Sequence, residues 1–441
     1  MVSVTHNFAY RMLTHDGETL SKPALVSAET TPLSYQIFYQ KVAQVQAYLE
    51  LLGLKPGHRV VIMFPPCEGL YILLTALMAL NITAVFIDPG FPLKAIAHCI
   101  QSSQAQAVIG LKKVGVLKLW VGNCGHIPFY GVDGGLWPFV KSWKIPNSPT
   151  ALPKVIPCLK EDHCLITFSS GTTGNHKASD RTHDLLIRQT AAIDSVIPAD
   201  LFSSGMSTFP ISAFLAFIRG NTYVIPDVEL RKQGEADPKR IAAQIEANNI
   251  QGIAGSPAFY SAICSNDELI SVSKSIRYVM VGGATVSQKL SKRLCVVFKH
   301  AEIVAIYGST EVEPVCLKQI TQDTLSKQEA GIHVGKPVAS ILLKIVDSEF
   351  AEVQPGDVGE IIVSGTHVMD RYLDPQSDSS NKFLDDQGQR WHRMGDAGFL
   401  NPEGELVLVG RMQDKMQISG RLYYPFPIEE LLNNHSHPIV T

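Results

Sequence analysis

Four short segments carry residue types that can hold a nucleotide. The first runs TFSSGTTGNHK from Thr167 to Lys177. Its small residues let the backbone approach an anion closely, its hydroxyls and amides can hold phosphate oxygens, and Lys177 adds positive charge. It follows a strand-like run and precedes a helix-like one, a setting in which phosphate loops occur. It is not a Walker A loop: GxxxxGK[ST] would need glycine at position 176, where His176 stands. The plain alternative is a polar turn with no ligand.

The second segment, Gly282-Gly283-Ala284, permits a flat ligand against the backbone, although a tight strand–helix turn would explain the same residues. In the third, Tyr307-Gly308-Ser309-Thr310-Glu311, the tyrosine can stack on a base and the threonine can bond a phosphate. Its glutamate can hold Mg²⁺ through oxygen. The fourth, Met394-Gly395-Asp396-Ala397-Gly398-Phe399, is followed by Gly410-Arg411. It offers a carboxylate for both hydroxyls of a ribose and a guanidinium for ribose or phosphate. Read singly, these could be a structural tyrosine, a solvated glutamate and a surface turn. Open α/β sheets bind ligands at the carboxyl ends of their strands. Polar segments at three such ends therefore predict one common site.

The elements that must position them alternate. Strands are predicted at 59–63 (RVVIM), 84–87, 107–109, 164–168, 222–225, 251–254, 277–281 and 303–306. Helices are predicted from Pro65-Pro66, from about Pro92, and over 181–192, 237–247 and 286–298, with Pro238 in a first turn. This alternation implies parallel strands covered on both faces. Residues 120–158 read as irregular. After about Gly331, alternating segments such as 341–346 and 360–363 lie between Gly, Pro and Asp turns and predict an antiparallel β subdomain. The apolar run from Leu70 to Ile87 is about long enough to span a bilayer. Asn81-Ile82-Thr83 interrupts it and Asp88-Pro89-Gly90 ends it, so a buried helix, a short strand and a turn are expected there.

Composition narrows the function classes. With 38 Lys+Arg against 41 Asp+Glu among 441 residues, the net charge is −3, which leaves no electrostatic footprint for nucleic acid. The 45% hydrophobic content suits a folded chain. Eight scattered cysteines form no CxxC, so neither a zinc site nor a disulfide framework is expected. They read as small buried hydrophobes in a reducing compartment. The first residues lack the apolar run of a signal peptide, and a cytoplasmic protein without transmembrane segments is expected.

Together the segments resemble the adenylate-forming superfamily of acyl-CoA synthetases, adenylation domains and luciferases. SSGTTGNHK is similar to its phosphate loop, YGSTE to its adenine and metal motif, and GDAGFLNPEGELVLVGR to its ribose motif and hinge approach. VVIMFPP, FIDPG, TFPISAF, GNTYVIPD, GSPAF, YGSTEVEPV and HRMGDAGF resemble the branch of olefin β-lactone synthetases and fatty acyl-CoA ligases. The likeness implies an α/β fold with a large N-terminal domain at 1–410. That domain would hold two mixed, mostly parallel α/β subdomains (1–165 and 166–330) and a β-rich one (331–410). Residues 411–441 would be the hinge and the start of a small lid.

The resemblance also implies roles. Ser169, Ser170, Gly171, Thr172, Thr173, Gly174 and Lys177 would hold the β,γ-phosphates of ATP. Gly282, Gly283, Ala284 and Tyr307 would flank adenine, with Gly308 and Ser309 in the same motif. Thr310 would contact the α-phosphate, Glu311 would bind Mg²⁺, and Asp396 would hold the ribose with Arg411 nearby. Lys177, Thr310 and Glu311 are the expected catalytic set. The implied reaction is ATP-dependent, AMP-forming activation of a fatty or 3-hydroxy fatty acid, followed by β-lactone formation or by thioesterification with CoA as second substrate. Fatty acid metabolism, with partner enzymes of a lipid or polyketide-like pathway, is the implied setting. Phe209, Phe214, Phe217, Phe259 and Tyr260 are apolar candidates for the acyl tunnel, each more often plain core.

The pattern has departures. His176 stands for the usual proline, Ala178 for glycine, and Gln413-Asp414 and Gln417 for Asp-Asp and a later lysine. The lysine that the family's lid brings to the carboxylate is not found before Thr441. The alternative expectation is therefore a nucleotide- or acyl-binding remnant with impaired catalysis.

Overall fold

Val60–Met63 are buried on both faces, as a central strand of a covered sheet must be. The strand Arg59–Met63 pairs in parallel with Thr83–Phe86 and with Ala107–Gly110. In the computed structural model, described over residues 2–119, 126–133, 140–145, 152–169, 177–198, 203–324 and 331–434, the chain forms two compact units. One comprises Met1–Thr190, Ala213–Ile225 and Met369–Asp378; the other comprises Ala191–Ser212, Pro226–Val368 and Ser379–Thr441.

The first unit holds an eight-stranded sheet. Its order is Arg371–Tyr372, Lys177–Thr182, His163–Ser169, Thr83–Phe86, Arg59–Met63, Ala107–Gly110, Phe129–Gly131 and Val140–Ser142. The crossover helices Glu68–Ala79 and Leu93–Ser103 follow their strands as predicted. The first buries every residue from Leu70 to Ala79. Twelve residues reach only about 18 Å, so this apolar run is core rather than a span. Among the described residues no helix is long and apolar enough to cross a membrane.

In the second unit four parallel strands, Ser204–Ser207, Gly252–Gly255, Tyr278–Gly282 and Glu302–Ser309, lie side by side. Three of the helices in this unit begin on side-chain caps: Asp237, Ser256 and Ser287 each accept from a backbone N–H of the first turn. The sheet then turns antiparallel at the hairpin into Val312–Gln319. It continues through Ile332–Pro337, Leu406–Arg411, Arg390–Leu400, Gly359–Gly365 and Ile341–Val346. The antiparallel texture expected after Gly331 is present.

Three readings need correction. The Thr167–Lys177 segment does not run into a helix: His163–Ser169 and Lys177–Thr182 form an antiparallel hairpin, and the helix starts only at His183. Residues 178–182 are all buried, so strand pairing on both sides overrides a polar sequence that reads as helix. The strand at 303–306 runs on to Ser309, because Tyr307 and Ser309 still pair with the returning strand. The stretch read as irregular contains short strands at Phe129–Gly131 and Val140–Ser142.

Candidate nucleotide site

Asp396 sits in the strand Arg390–Leu400 of the second unit, paired in register with Arg411. Gly395 before it has φ +71, a conformation that a side chain would strain. The ladder shifts register just after it, between Ala397 and Gly398. The Tyr307 hydroxyl donates to Asp396 Oδ2 at 2.7 Å, and Arg411 Nε lies 3.0 Å from Oδ1. Tyr307 and Asp396 come from strands with three others between them in the sheet. The sheet must therefore coil for the two to meet. Tyr307 packs on a buried cluster that includes Val312 and Met394.

The electrostatics of this carboxylate are unusual. Burial pushes Asp396 above the ordinary carboxylate range, and the Arg411 charge and Tyr307 hydrogen bond only partly oppose it. Burial, then the Asp396 charge, holds the Tyr307 phenol well above its usual value, so it stays protonated and donates. An ionised carboxylate has about four lone-pair positions. The two contacts above leave room for a vicinal diol.

The other expected positions divide. Gly282 is explained by packing: a Cβ there would lie 2.4 Å from Ile306 Cγ2 of the neighbouring strand. Gly283 has φ +80 and lies under the half-buried Phe209 ring, 3.3 Å from where its Cβ would be. Gly283 and Ala284 are exposed at the strand end, which leaves a backbone surface open to a flat ring. Thr310 and Glu311 form the hairpin turn and are half-buried, with the Glu311 N–H donating to Ser309 Oγ at 3.2 Å. In the first unit Ser169 and Lys177 close the hairpin ladder as its last pair. Ser170, Gly171, Thr172, Thr173 and Gly174, with His176, lie outside the described residues.

The aromatic candidates are mostly core. Phe214 and Phe217 pack with Phe8, Phe38 and Tyr71 in the first unit. Phe259 and Tyr260 are fully buried in the second, where the Tyr260 hydroxyl donates to the Ile253 carbonyl at 2.8 Å. Of the five, Phe209 alone keeps appreciable exposure. A cavity of about 460 Å³ in the second unit is lined by Glu302, Lys318, His333, Lys336 and Glu405. It lies at the amino end of the strand whose other end bears Tyr307 and mixes both charges, so it is not the nucleotide site.

One cluster escaped the sequence reading. Asp180, buried in the hairpin, accepts from His163 Nδ1 at 2.7 Å and from Arg371 Nε at 2.9 Å. Arg59 Nη2 lies 3.2 Å from His163 Nε2. No spacing rule links positions 59, 163, 180 and 371.

A family model described as AMP-binding enzyme matches residues 14–373. The chain belongs to this family. An olefin beta-lactone synthetase of Stenotrophomonas maltophilia is 26% identical over 92% of this chain and 77% of its own length. An acyl-CoA ligase, SID4, of Ajellomyces capsulatus is 29% identical over 62% of this chain and 47% of its own. The likeness to these two groups read from the short segments is thus met in whole-sequence comparison. Among solved structures, ATP-bound MatB from Rhodopseudomonas palustris superposes with a TM-score of 0.81 at 18% identity, covering 99% of this chain and 84% of that one. The amide bond synthetase McbA from Marinactinospora thermotolerans gives 0.79 at 18%, covering 98% and 84%. The fold of this AMP-binding enzyme is that of adenylate-forming enzymes, and the chain is an AMP-forming ligase.

Proposed function

We propose that this AMP-binding enzyme joins ATP to an apolar carboxylic acid, a fatty or 3-hydroxy fatty acid, as an acyl-adenylate. A substrate carboxylate oxygen attacks the α-phosphorus, the bond to the β-phosphate oxygen breaks, and pyrophosphate leaves. The observation that carries the reading is Asp396: a buried carboxylate left undercompensated, anchored by Tyr307 and Arg411, with acceptor capacity for a ribose diol.

The remaining residues take the expected roles in this reading. Gly283 and Ala284 give adenine a flat edge beside Tyr307. Ser169, Ser170, Gly171, Thr172, Thr173, Gly174 and Lys177 hold the β,γ-phosphates, and Thr310 bonds the α-phosphate. Such a step needs positioning and charge neutralisation more than covalent help. The donor set suits Mg²⁺: Glu311 is one carboxylate in a turn, and the described residues hold no cluster of three His, Cys, Asp or Glu. Mg²⁺ is typically held by one or two carboxylates together with substrate phosphates, where it neutralises charge. Residues 411–441 are read as the hinge and the beginning of a lid.

The second step is assigned to β-lactone closure, in which the 3-hydroxyl oxygen attacks the acyl carbon, the bond from that carbon to the AMP phosphate oxygen breaks, AMP departs and the hydroxyl proton passes to water. The lactone synthetase relative supports this by aligning along nearly the whole chain. Thioester formation with CoA is the second reading, supported by the acyl-CoA ligase relative. ATP–pyrophosphate exchange with 3-hydroxy and unsubstituted fatty acids tests the first step. Exchange that depends on acid is expected, and none with any acid across chain lengths would overturn it. Glu311→Gln should raise the Mg²⁺ concentration for half-maximal exchange roughly tenfold, through loss of a charged ligand; an unchanged Mg²⁺ profile would remove Glu311 from the metal.

A further inference from the structure

Three parallel strands of the second unit end side by side at Ser207-Thr208-Phe209, at Gly255-Ser256 and at Gly282-Gly283. This is the end at which open sheets bind ligands. Thr208 is 2% exposed, and among the described residues its Oγ1 is buried without a hydrogen-bond partner. Its backbone N–H, in contrast, is satisfied by the Ala254 carbonyl at 3.0 Å. The neighbouring hydroxyls are engaged as well: Ser207 Oγ with Ser212 at 3.0 Å, and Ser256 Oγ with Gln233 at 2.6 Å. Buried hydroxyls are nearly always paired, so a single unpaired one among paired neighbours calls for a reason.

A glycine lies against that hydroxyl on the adjacent strand. The Cβ position that Gly255 leaves empty is 3.4 Å from Thr208 Oγ1 and 2.6 Å from the Phe259 ring. Phe209, the next residue, is the half-exposed ring over Gly283. Thr208 Oγ1 is therefore a buried polar atom one residue from this half-exposed ring, and it can both donate and accept.

Resting on the function proposed above, we infer that Thr208 is a specificity residue that recognises a hydroxyl on the acyl chain close to the carboxyl group. The preferred substrate class is then the 3-hydroxy acid rather than the plain fatty acid. The unpaired hydroxyl of the free protein gains its partner only when that substrate binds. A site with a waiting polar group discriminates strongly against an analogue that leaves it unpaired.

The test compares wild type, Thr208→Val and Thr208→Ser in ATP–pyrophosphate exchange with 3-hydroxydecanoate and decanoate. The wild type should prefer the hydroxy acid in kcat/KM by about tenfold or more. Thr208→Val, close in shape, should lose that preference by raising KM for the hydroxy acid, with decanoate within about twofold of wild type. Thr208→Ser should keep it. Thr208→Val should also melt no lower than wild type, because no partner is lost. A preference unchanged in Thr208→Val, an equal fall for both acids, or a large drop in melting temperature would each overturn the inference. Absence of exchange with either acid in the wild type would instead overturn the proposed function, and this inference with it.

Discussion

The two units each bury an aspartate against an arginine and a second donor, yet the two carboxylates are held in opposite ways. Asp180 lies among His163 and Arg371, and their hydrogen bonds and charges outweigh its burial, so its carboxyl falls below the usual range. Asp396 lies between Tyr307 and Arg411, and there burial outweighs the donors, so its carboxyl rises. Contact distances are alike, 2.7 and 2.9 Å in one case and 2.7 and 3.0 Å in the other. The difference is how completely burial is compensated. A fully compensated carboxylate secures a fold, here the hairpin of His163–Ser169 with Lys177–Thr182. An undercompensated one keeps capacity for a ligand.

Removing the structural aspartate should give the largest effect. Asp180→Ala leaves His163 and Arg371 without their acceptor and should cost about 3 kcal/mol of stability. That is the low end for a broken buried pair, because Arg371 is 46% exposed and reaches water. Urea unfolding would measure it, and a loss below about 1 kcal/mol would remove the contrast with Asp396.

A buried histidine sharpens the picture of the first unit. His183 accepts the Phe8 N–H at 3.0 Å and contacts Asn81 Oδ1 at 3.2 Å, and burial lowers it from 6.5 to about 4. The folded state thus binds the proton less well than the unfolded chain. Its contribution is complete above about pH 6.5 and is lost as the pH falls towards 4, amounting to roughly 3 kcal/mol. Urea midpoints at a series of pH values should show the fall, and His183→Gln should flatten it.

At the other carboxylate, Asp396→Ala should weaken ATP binding by at least about tenfold, or 1.4 kcal/mol, by loss of a charge-assisted hydrogen bond to each hydroxyl. Inorganic triphosphate, which has no ribose, should bind as before. Calorimetry with both ligands decides, and equal losses would contradict the ribose role.

The smallest effect carries the most telling sign. Because Asp396 is raised above its unfolded value, its contribution is present at low pH and lost as the pH rises through its folded value. Ionised Asp396 therefore works against stability at neutral pH. Asp396→Asn should melt at the wild-type temperature or slightly above it at pH 7, while ATP affinity falls. A clear drop in melting temperature would make Asp396 a structural residue like Asp180.

Local chemistry made much of this legible. The strand at Arg59–Met63, the helix capped by Asp237 and the buried segment from Leu70 were readable because burial on both faces, capping and apolar runs are properties of neighbouring residues. The likeness of four short segments to the family's motifs was readable because small, hydroxyl and acidic residues recur there in a fixed order. The hairpin strand Lys177–Thr182 was not: Lys-Ala-Ser-Asp-Arg-Thr has no strand pattern, and its conformation comes from pairing on both sides. Nor were the partners of Asp180, His163 and Arg371, which come from distant positions.

The order of residues along the chain was enough to read an α/β protein of the AMP-binding family. Folding in three dimensions alone decided which carboxylate is compensated and which is not. That depends on the balance of desolvation against donors brought from remote strands, a quantity with no counterpart in linear spacing. The same holds for the hydroxyl of Thr208, unpaired among the described residues, since whether a buried oxygen has a partner is a property of packing.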